Sequence, residues 1–444
     1  MEHRTGVKVI GAGLAGCEAA HYLASRGIPV TLAEMKPKKF TPAHSDKNFC
    51  ELVCSNSLKS ADVYGNACGL LKEEMRLFGS LTMEAAEKTR VPAGGALAVE
   101  RHAFAEYVTR KIRKNANIRI VEAEAEDIPE GEWTIVATGP LTGEKLAEKL
   151  AERFGGNLFF YDAAAPVVSA QSVDFSKTFT ADRYGKGEGD YVNCPMDREE
   201  YEAFVDALLS AERVIAREFE KRDVFEGCMP VEIMASRGKD TLRFGTFKPV
   251  GLYDENGKRP YAVLQLRKEN CAGTAYNLVG CQTNLKFPEQ KRVFSMIPAL
   301  KNAEFLRYGV MHRNTFLNSP QILGADGSLK DDPKVFFAGQ MTGVEGYVES
   351  AAGGIWAAAN CALKMRGKQP MPADTSTVMG ALAAHISAPN ADFQPMNANY
   401  GILRPLDVDV RDKALKKRMF AERALRSAEK LKEYAQSAFA ERES

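Results

Sequence analysis

The sequence has no excess of charge of either sign. Among its 444 residues, lysine and arginine total 59 against 58 acidic residues, a formal net charge of +1 at pH 7. Such a chain has no overall field to draw it onto nucleic acid or anionic lipid, so a polyanionic partner must meet a local basic patch. Long apolar runs are also missing, and none reaches the length needed to span a bilayer. We therefore expect no membrane partner.

Cysteine is scarce as well. The nine cysteines show neither the density nor the even number of a disulfide scaffold, which favours a reducing compartment. The N-terminus leads into the apolar segment VKVI and lacks the hydrophobic stretch and small-residue cleavage site of a signal peptide. We expect a cytoplasmic protein. Its composition, 45% hydrophobic and 26% charged, is globular and sufficient for two or three domains.

A glycine-rich turn lies near the N-terminus. VKVI predicts a strand, residues 14–26 have helical spacing, and PVTLAE predicts a second strand that ends at Glu34. GAGLAG joins the first strand to the helix, and an acid about twenty residues further on completes the fingerprint of a dinucleotide site. Such glycines let backbone approach a pyrophosphate at the helix N-terminus, and the acid binds ribose hydroxyls. The predicted cofactor residues are Gly11, Ala12, Gly13, Leu14, Ala15, Gly16 and Glu34.

A second glycine-rich segment, far along the chain, favours FAD over a nicotinamide as the bound dinucleotide. KVFFAGQMTGVEGYVESAAGG, residues 334–354, predicts a strand, a glycine turn and a helix with its N-terminus near Gly353. Flavoproteins of the glutathione-reductase type build the FAD site from both chain ends, and a helix N-terminus stabilises charge on reduced flavin. We add Gly339, Gln340, Gly353 and Gly354 to the cofactor residues. A second GxGxxG that leads into a helix is missing, so a nicotinamide reductant is expected to visit the flavin without its own Rossmann domain.

The order of these segments predicts an α/β fold, an FAD-binding Rossmann-type domain of the glutathione-reductase kind with an inserted α+β domain. Residues 1–187 are assigned to the first part of the FAD-binding domain. Residues 188–315, rich in short strands and turn signals, form the inserted domain on the substrate side. Residues 316–444 complete the FAD-binding domain and end in a basic helix. Residues 199–222 have the pattern of one long helix, and residues 51–58 can open another.

Two cysteines four residues apart lie in FCELVCSNSLKS. Three interpretations of Cys50 and Cys54 are open: a redox disulfide, half of a zinc site with His44 and Cys68 nearby, or buried small side chains. For Cys50, which follows Phe49, we favour burial, and we predict no metal. Cys54 precedes small polar residues of the kind that line a site, so its thiol can reach the flavin.

Cys228 lies in FEGCMPVEIMASRG, where a glycine precedes it and Met-Pro follows it. This context favours an exposed turn. An exposed thiol near Lys221, Arg222 and Arg237 is a candidate thiolate, because neighbouring cations favour the charged form. A buried structural cysteine is the alternative.

Five segments together carry a more specific likeness. GAGLAGCEAA, ELVCSNSLKS, FEGCMPVEIMASRG, MHRNTF and FFAGQMTGVEGYVESAAGG resemble the folate- and FAD-dependent tRNA (uracil-5-)-methyltransferases, the TrmFO family, in the same order and over nearly the whole chain. The resemblance implies that methylenetetrahydrofolate supplies a one-carbon unit to C5 of uridine 54 in the T-loop of tRNA. It further implies FAD as cofactor, NADPH or NADH as electron source, and functional cysteines in ELVCSN and EGCMP, here Cys54 and Cys228.

In this scheme we assign Cys228 as the nucleophile that adds to C6 of uracil, since the addition makes C5 nucleophilic. Cys54 is assigned to the flavin side, and Cys50 has no role. Alternatives are the same chemistry on ribosomal RNA, a flavin oxidoreductase acting on a small metabolite, and an RNA-binding flavoprotein without turnover. A larger relative that modifies the wobble uridine shares the FAD fold, but this chain is too short for that family's extra C-terminal domain.

RNA contact is expected from local basic patches. These are residues 110–119, 237–243 and 286–292, together with the basic C-terminal helix. Each is a weak signal, because a run of charge is usually a solvated surface.

Overall fold

The computed structural model of the chain describes residues 5–41, 43–155, 158–185, 189–214 and 229–439. The strands in these ranges are β1 (Val7–Ile10), β2 (Val30–Glu34), β3 (Ser57–Ser60), β4 (Arg90–Val91), β5 (Ala96–Val99), β6 (Ile118–Glu122), β7 (Thr134–Val136), β8 (Leu158–Ala163), β9 (Val167–Ser169), β10 (Phe179–Thr180), β11 (Val192–Met196), β12 (Ala262–Lys268), β13 (Ala275–Leu278), β14 (Phe305–Arg307), β15 (Met311–Phe316) and β16 (Val335–Phe337). The α-helices are α1 (Leu14–Ala24), α2 (Ala67–Leu77), α3 (Leu81–Lys88), α4 (Arg101–Lys114), α5 (Glu144–Phe154), α6 (Arg198–Ser210), α7 (Val231–Ser236), α8 (Thr241–Phe244), α9 (Phe287–Phe294), α10 (Ser319–Ile322), α11 (Tyr347–Met365), α12 (Val378–His385) and α13 (Lys413–Gln436).

A parallel sheet of five strands carries the dinucleotide motif. Its order is β16-β7-β1-β2-β6, so β1 is central. From β1 the chain extends the sheet to one side through β2 and β6 and to the other through β7 and β16. Ligands of such open sheets bind beyond the carboxyl ends of the strands, where the order reverses. GAGLAG follows β1 at this edge, and β16 comes from the far end of the chain, so the prediction that both ends build one α/β sheet is confirmed.

Helices α1 and α11 pack closely because glycine lies at their contact. A Cβ atom on Gly354 would stand 2.1 Å from the carbonyl oxygen of Ala15, a distance that backbone atoms never tolerate. The helix itself begins at Tyr347, after Gly346 with a φ of 121°, and not near Gly353 as predicted. The glycine pair inside the helix therefore serves close packing, while the earlier glycine turns the chain into the helix.

The second large sheet is antiparallel and belongs to the inserted part of the chain. Its order is β10-β11-β12-β13-β9-β14. A separate apolar core lies between this sheet and the helices α6, α7 and α9, with Phe204, Phe247 and Phe294 fully buried. β9 and β10 precede residue 188, so strands of this sheet lie ahead of the predicted start of the inserted domain. The boundaries at 188 and 315 stay a prediction.

Two local expectations differ from the structure. Residues 51–58 open no helix, because Ser57–Ser60 pairs antiparallel with Ala96–Val99 in the small sheet β3-β5-β4. The helix predicted over 199–222 ends at Ser210, and its last predicted part lies outside the described residues. None of the helices within the described ranges combines the length and the apolar character that a membrane crossing requires.

Candidate active site

The glycines of GAGLAG have two different tasks. Gly11 has a φ of 98°, and a Cβ there would lie 2.6 Å from the carbonyl oxygen of Ala137, so the turn itself requires glycine. A Cβ on Gly16 would meet the carbonyl oxygen of Gly11 at 1.8 Å. At Gly13, in contrast, a Cβ would have no atom within 4 Å. Among the described residues none occupies the space beside Gly13, which is where a pyrophosphate approaches in sites of this kind.

Glu34 ties the glycine turn to the end of β2. Its buried carboxylate accepts the backbone N–H of Ala12 at 2.7 Å and that of Lys36 at 3.0 Å. Each carboxylate oxygen has two acceptor sites, so both oxygens can still bind a ribose hydroxyl. A small cavity of about 50 Å³ lies beside Glu34, with Gly11, Thr138 and Leu146 in its wall.

The N-termini of two helices also indicate an anionic ligand. Neither α1, with Gly13 as N-cap, nor α11, with Gly346 as N-cap, has a side chain that caps its first turn. Their first N–H groups and helix dipoles are therefore available to negative charge. Together with the open side of Gly13 and the Glu34 cavity, these features fit FAD.

A larger cavity of about 250 Å³ lies where the FAD-binding elements meet the Cys54 loop. Gln340 lines it and donates through Nε2 to Glu345 Oε2 at 2.6 Å. The inserted part of the chain contributes Gln282. The remaining lining residues are Val53, Cys54, Ser55, Ser57, Leu58, Lys59, Pro140, Leu141, Asn314, Gly346, Tyr347, Val348 and Asn397.

Tyr347, the first residue of α11, holds Cys54. Its hydroxyl oxygen accepts the backbone N–H of Cys54 at 2.8 Å and lies 3.0 Å from the Cys54 Sγ. Burial, and after it the Cys54 thiol, raises the pKa of Tyr347 well above its ordinary value, so the hydroxyl stays protonated at neutral pH. Because the oxygen already accepts an N–H, its own proton is available to the sulfur. Sequence reasoning missed Tyr347, although it lies inside a motif that the resemblance used.

Lys59, which lines the cavity, forms an ion pair. Lys59 Nζ lies 2.8 Å from Glu349 Oε1, which also accepts the backbone N–H of Ala398 at 3.0 Å. Burial lowers the pKa of Lys59, but Glu349, Cys68 and Glu345 together raise it by more, so the net shift is upward. This pair joins β3 to the first turn of α11.

The remaining cysteine predictions have mixed outcomes. Cys50 and Cys54 are both free thiols, and Cys50 is buried, with Cys17 also buried beside the glycine turn. Within the described ranges, no three His, Cys, Asp or Glu side chains are placed to hold a metal ion. Cys228 lies outside the described residues, so its predicted role as nucleophile stays a prediction.

The basic patches are largely neutralised by neighbouring acids. Salt bridges join cations of three patches to carboxylates: Lys111–Glu84, Arg113–Glu122, Arg243–Asp240, Lys286–Glu212 and Arg292–Glu289. The C-terminal helix differs at its start, where Lys413, Lys416 and Lys417 are exposed. Lys417 Nζ donates to the carbonyl of Gly65 at 3.0 Å, which places this end of α13 near the segment that follows β3.

Solved structures support the fold. The chain superimposes on GidA from Aquifex aeolicus with a TM-score of 0.69, at 17% identity, over 98% of this chain and 77% of that one. A second crystal form of the same protein gives a TM-score of 0.68. At this identity the likeness concerns the fold alone, and it confirms the predicted Rossmann-type α/β class.

Sequence comparison gives the family. A profile described as "Glucose inhibited division protein A" matches residues 6–369. The chain is 56% identical to "Methylenetetrahydrofolate--tRNA-(uracil-5-)-methyltransferase TrmFO" from Acetivibrio thermocellus, over 96% of this chain and 98% of that protein. Identity to the protein of the same name from Geobacter sulfurreducens is also 56%, over 94% and 97%. The predicted resemblance is thereby confirmed: the chain belongs to the glucose-inhibited division protein A family and, within it, to the TrmFO family.

Proposed function

We propose that this protein is a folate- and FAD-dependent tRNA (uracil-5-)-methyltransferase of the cytoplasm, which forms 5-methyluridine at position 54 in the T-loop. Methylenetetrahydrofolate supplies the one-carbon unit and NADPH or NADH the electrons. The observation that carries the proposal is the 56% identity to a protein named for this reaction, over 96% of the chain. The cavity that joins Cys54 to the FAD-binding helix α11 supports it independently.

The two cysteines have different roles in the proposed reaction. FAD, held by the glycine turn, Glu34 and the start of α11, supplies the redox chemistry when it is bound. Tyr347 fixes the backbone and the sulfur of Cys54 at the cavity wall. Cys228 keeps its assignment as the thiolate that adds to C6 of uracil, which makes C5 nucleophilic, and a base then removes the C5 proton. The start of α13 is assigned to the T-arm, because its lysines are exposed and Lys417 contacts Gly65, in the segment that follows β3.

Transfer of isotope tests the reaction. The holoenzyme is incubated with NADPH, total RNA from a strain that lacks the enzyme, and methylenetetrahydrofolate labelled in its methylene carbon. We expect label in 5-methyluridine of the tRNA fraction, at position 54, and none when labelled S-adenosylmethionine replaces the folate. Label in ribosomal RNA alone would redirect the proposal to that substrate. Label from S-adenosylmethionine alone would contradict it.

Trapping tests the assignment of the nucleophile. With methylenetetrahydrofolate present, C5 takes up the one-carbon unit but its fluorine cannot leave as a proton does. RNA with 5-fluorouridine at the target should therefore stay covalently attached, and peptide mapping should place the link at Cys228. Cys228→Ala should lose both the adduct and methylation while FAD stays bound. The matched variant Cys271→Ala, at an exposed cysteine, should keep both. An adduct on Cys54 would reverse the roles.

A further inference from the structure

Three arginines converge on the loop that carries Cys54. Arg101, from α4, donates through Nη1 to the carbonyl of Leu52 at 2.8 Å. Arg307, from β14 in the inserted part of the chain, donates through Nη1 to the carbonyl of Val53 at 3.2 Å. The residues before Cys54 are thus held by cations from two separate parts of the protein.

The third arginine holds the residues after Cys54. Arg267, from β12, is buried and donates through Nε to Asn56 Oδ1 at 2.9 Å and through Nη2 to Ser55 Oγ at 3.0 Å. Both acceptors are neutral, so these hydrogen bonds do not balance the charge of the guanidinium.

Within the described ranges, Glu269 is the carboxylate that pairs with this cluster of three cations. Glu269 accepts Nε and Nη2 of Arg101 at 2.7 and 3.0 Å, the side-by-side geometry that arginine and carboxylate prefer. Counting Arg101, Arg267 and Arg307 against Glu269 leaves two positive charges in excess. In a poorly hydrated setting, such an excess favours any neighbouring group that can become an anion.

Arg307 presents the unmatched part of this charge. Its Nε and Nη2 atoms are buried and have no hydrogen-bond partner within the described residues. These two atoms form the same edge with which Arg101 binds Glu269. Burial, followed by repulsion from Arg101, lowers the pKa of Arg307 to about 10, so the side chain is still a cation at neutral pH. A buried cation with an open edge needs a negative partner.

The groups around Cys54 identify that partner. Across the cavity, Lys59 and Glu349 neutralise each other, and Glu345 accepts the Gln340 amide. Among the anions that oppose the downward shift of the Arg307 pKa are those of Glu269, Tyr347 and, with the smallest effect of the three, Cys54. Glu269 is engaged by Arg101, and the hydroxyl of Tyr347 keeps its proton because burial opposes its anion. The thiol of Cys54 is left as the group that can ionise beside Arg307.

We propose that Arg307 is a positioning residue that keeps Cys54 in the thiolate form. The proton of the thiol passes to solvent, and Arg307 and the Tyr347 hydroxyl stabilise the sulfur anion. The thiolate is the reactive form of cysteine. Arg307, which comes from the inserted part of the chain, therefore makes Cys54 reactive. The inference rests on the proposed function for what the thiolate is used for, but the inference itself concerns only the ionisation of Cys54.

The pH dependence of alkylation tests the proposal in the wild-type protein. The FAD-loaded enzyme is treated with iodoacetamide between pH 5 and 10, and the rate at each cysteine is followed by peptide mass spectrometry. Cys271, which is exposed, is the internal reference. A neighbouring cation lowers the titration midpoint of an acidic group by roughly 1–3 pH units, so the midpoint for Cys54 should lie about one unit or more below that for Cys271. A midpoint at or above that of Cys271 would overturn the proposal.

Variants then separate Arg307 from the rest of the cluster. Arg307→Gln keeps an amide that can donate to Val53, and its Cys54 midpoint should rise by about one unit or more. Arg307→Lys keeps the charge and should stay closer to wild type, whereas Arg243→Gln, in a remote partly buried arginine, should change nothing. An unchanged midpoint in Arg307→Gln with FAD still bound would refute the role. If that variant loses FAD, Arg307→Lys and the wild-type comparison decide. No RNA or folate is present, so failure would leave the methyltransferase proposal standing.

Discussion

The dinucleotide turn and the Cys54 cavity are two neighbouring sites that are built in opposite ways. The turn consists of backbone, and its glycines act within one stretch of six residues, with Glu34 as the distant member. The cavity is made of side chains from segments as far apart as residues 53–59, 282, 314 and 397. In the turn a side chain would be in the way, whereas in the cavity the side chains of Cys54, Lys59 and Gln340 each supply a contact.

This difference decides how each site can fail. A substitution in the turn acts by filling space, either space that the fold needs or space that the ligand needs. A substitution around Cys54 removes a donor, an acceptor or a charge, and the fold keeps its shape. The comparison therefore predicts a series of variants whose effects decrease in size. The first of them destabilises the fold.

The largest effect is expected from Gly354→Val. Its Cβ would lie 2.1 Å from the carbonyl oxygen of Ala15, so α1 and α11 would have to separate. Overpacking of a rigid backbone contact costs at least roughly 1–3 kcal/mol, and we expect the upper end or more. Urea unfolding of the FAD-free protein measures the loss, and FAD binding should disappear with it. A stability equal to wild type would show that the helix contact is not close.

Gly13→Val is the matched variant for ligand space. A Cβ there meets no atom within 4 Å, so the free energy of unfolding of the FAD-free protein should change by less than about 1 kcal/mol. FAD should still be lost, because the side chain enters the space of the pyrophosphate. Full FAD occupancy, read from the flavin absorbance, would mean that the cofactor does not approach this glycine.

Tyr347→Phe tests the cavity side of the comparison. The ring keeps its packing, but the backbone N–H of Cys54 loses its acceptor and the sulfur loses a donor. If the transition state loses an interaction worth about 1–3 kcal/mol, methylation becomes roughly 5- to 150-fold slower. FAD should stay bound. Tyr22→Phe is the control, because the buried hydroxyl of Tyr22 has no hydrogen-bond partner among the described residues and its loss should not slow the reaction.

The same contrast explains how much the sequence alone could predict. β1, α1 and β2 and the return of the chain at β16 follow from hydrophobic spacing and glycine position, which are local signals. The start of α11 is wrong in the prediction, which places it near Gly353 instead of Tyr347, since nothing in SAAGG distinguishes a glycine at a helix start from one at a helix contact. The sequence analysis missed Tyr347, Arg307 and Glu269. The fold brings them to the Cys54 loop from segments more than 200 residues away, and the spacing of residues along the sequence does not show such contacts.

The FAD-binding part of the protein also contains a contact between distant segments, and Glu74 makes it. Its fully buried carboxylate accepts the N–H groups of Val378 and Met379, 304 and 305 residues away, at the start of α12. Burial raises the pKa of Glu74 from 4.5 to about 8, although the two N–H groups oppose the shift. Between these values the folded protein holds a proton that the unfolded chain releases. Its contribution to stability is therefore lost as the pH rises from about 4.5 to 8.

Glu74→Gln removes this titration. The free energy of unfolding of wild type minus that of the variant should fall from pH 5 to pH 8, with a slope of at most ~1.4 kcal/mol per pH unit. Urea unfolding at four pH values measures it, and Glu148→Gln, at an exposed glutamate, should give a flat difference. A flat difference for Glu74→Gln as well would mean that the carboxylate stays ionised, held by the helix N-terminus.

The smallest effect is expected at Cys50, the neighbour of Cys54 in sequence. Its backbone N–H donates to the carbonyl of Ala12 at 3.0 Å, a bond that Cys50→Ala keeps, and its side chain is buried. Loss of the sulfur leaves a small void worth about 1 kcal/mol, so urea unfolding should shift slightly while FAD and methylation stay near wild type. Cys54→Ala should do the reverse, with unchanged stability and slow methylation, because its loop is held by backbone contacts to Tyr347, Arg101 and Arg307. Slow methylation in Cys50→Ala with FAD bound would show that both cysteines act in the reaction. The distinction between a turn built of backbone and a cavity built of side chains would then not hold at Cys50.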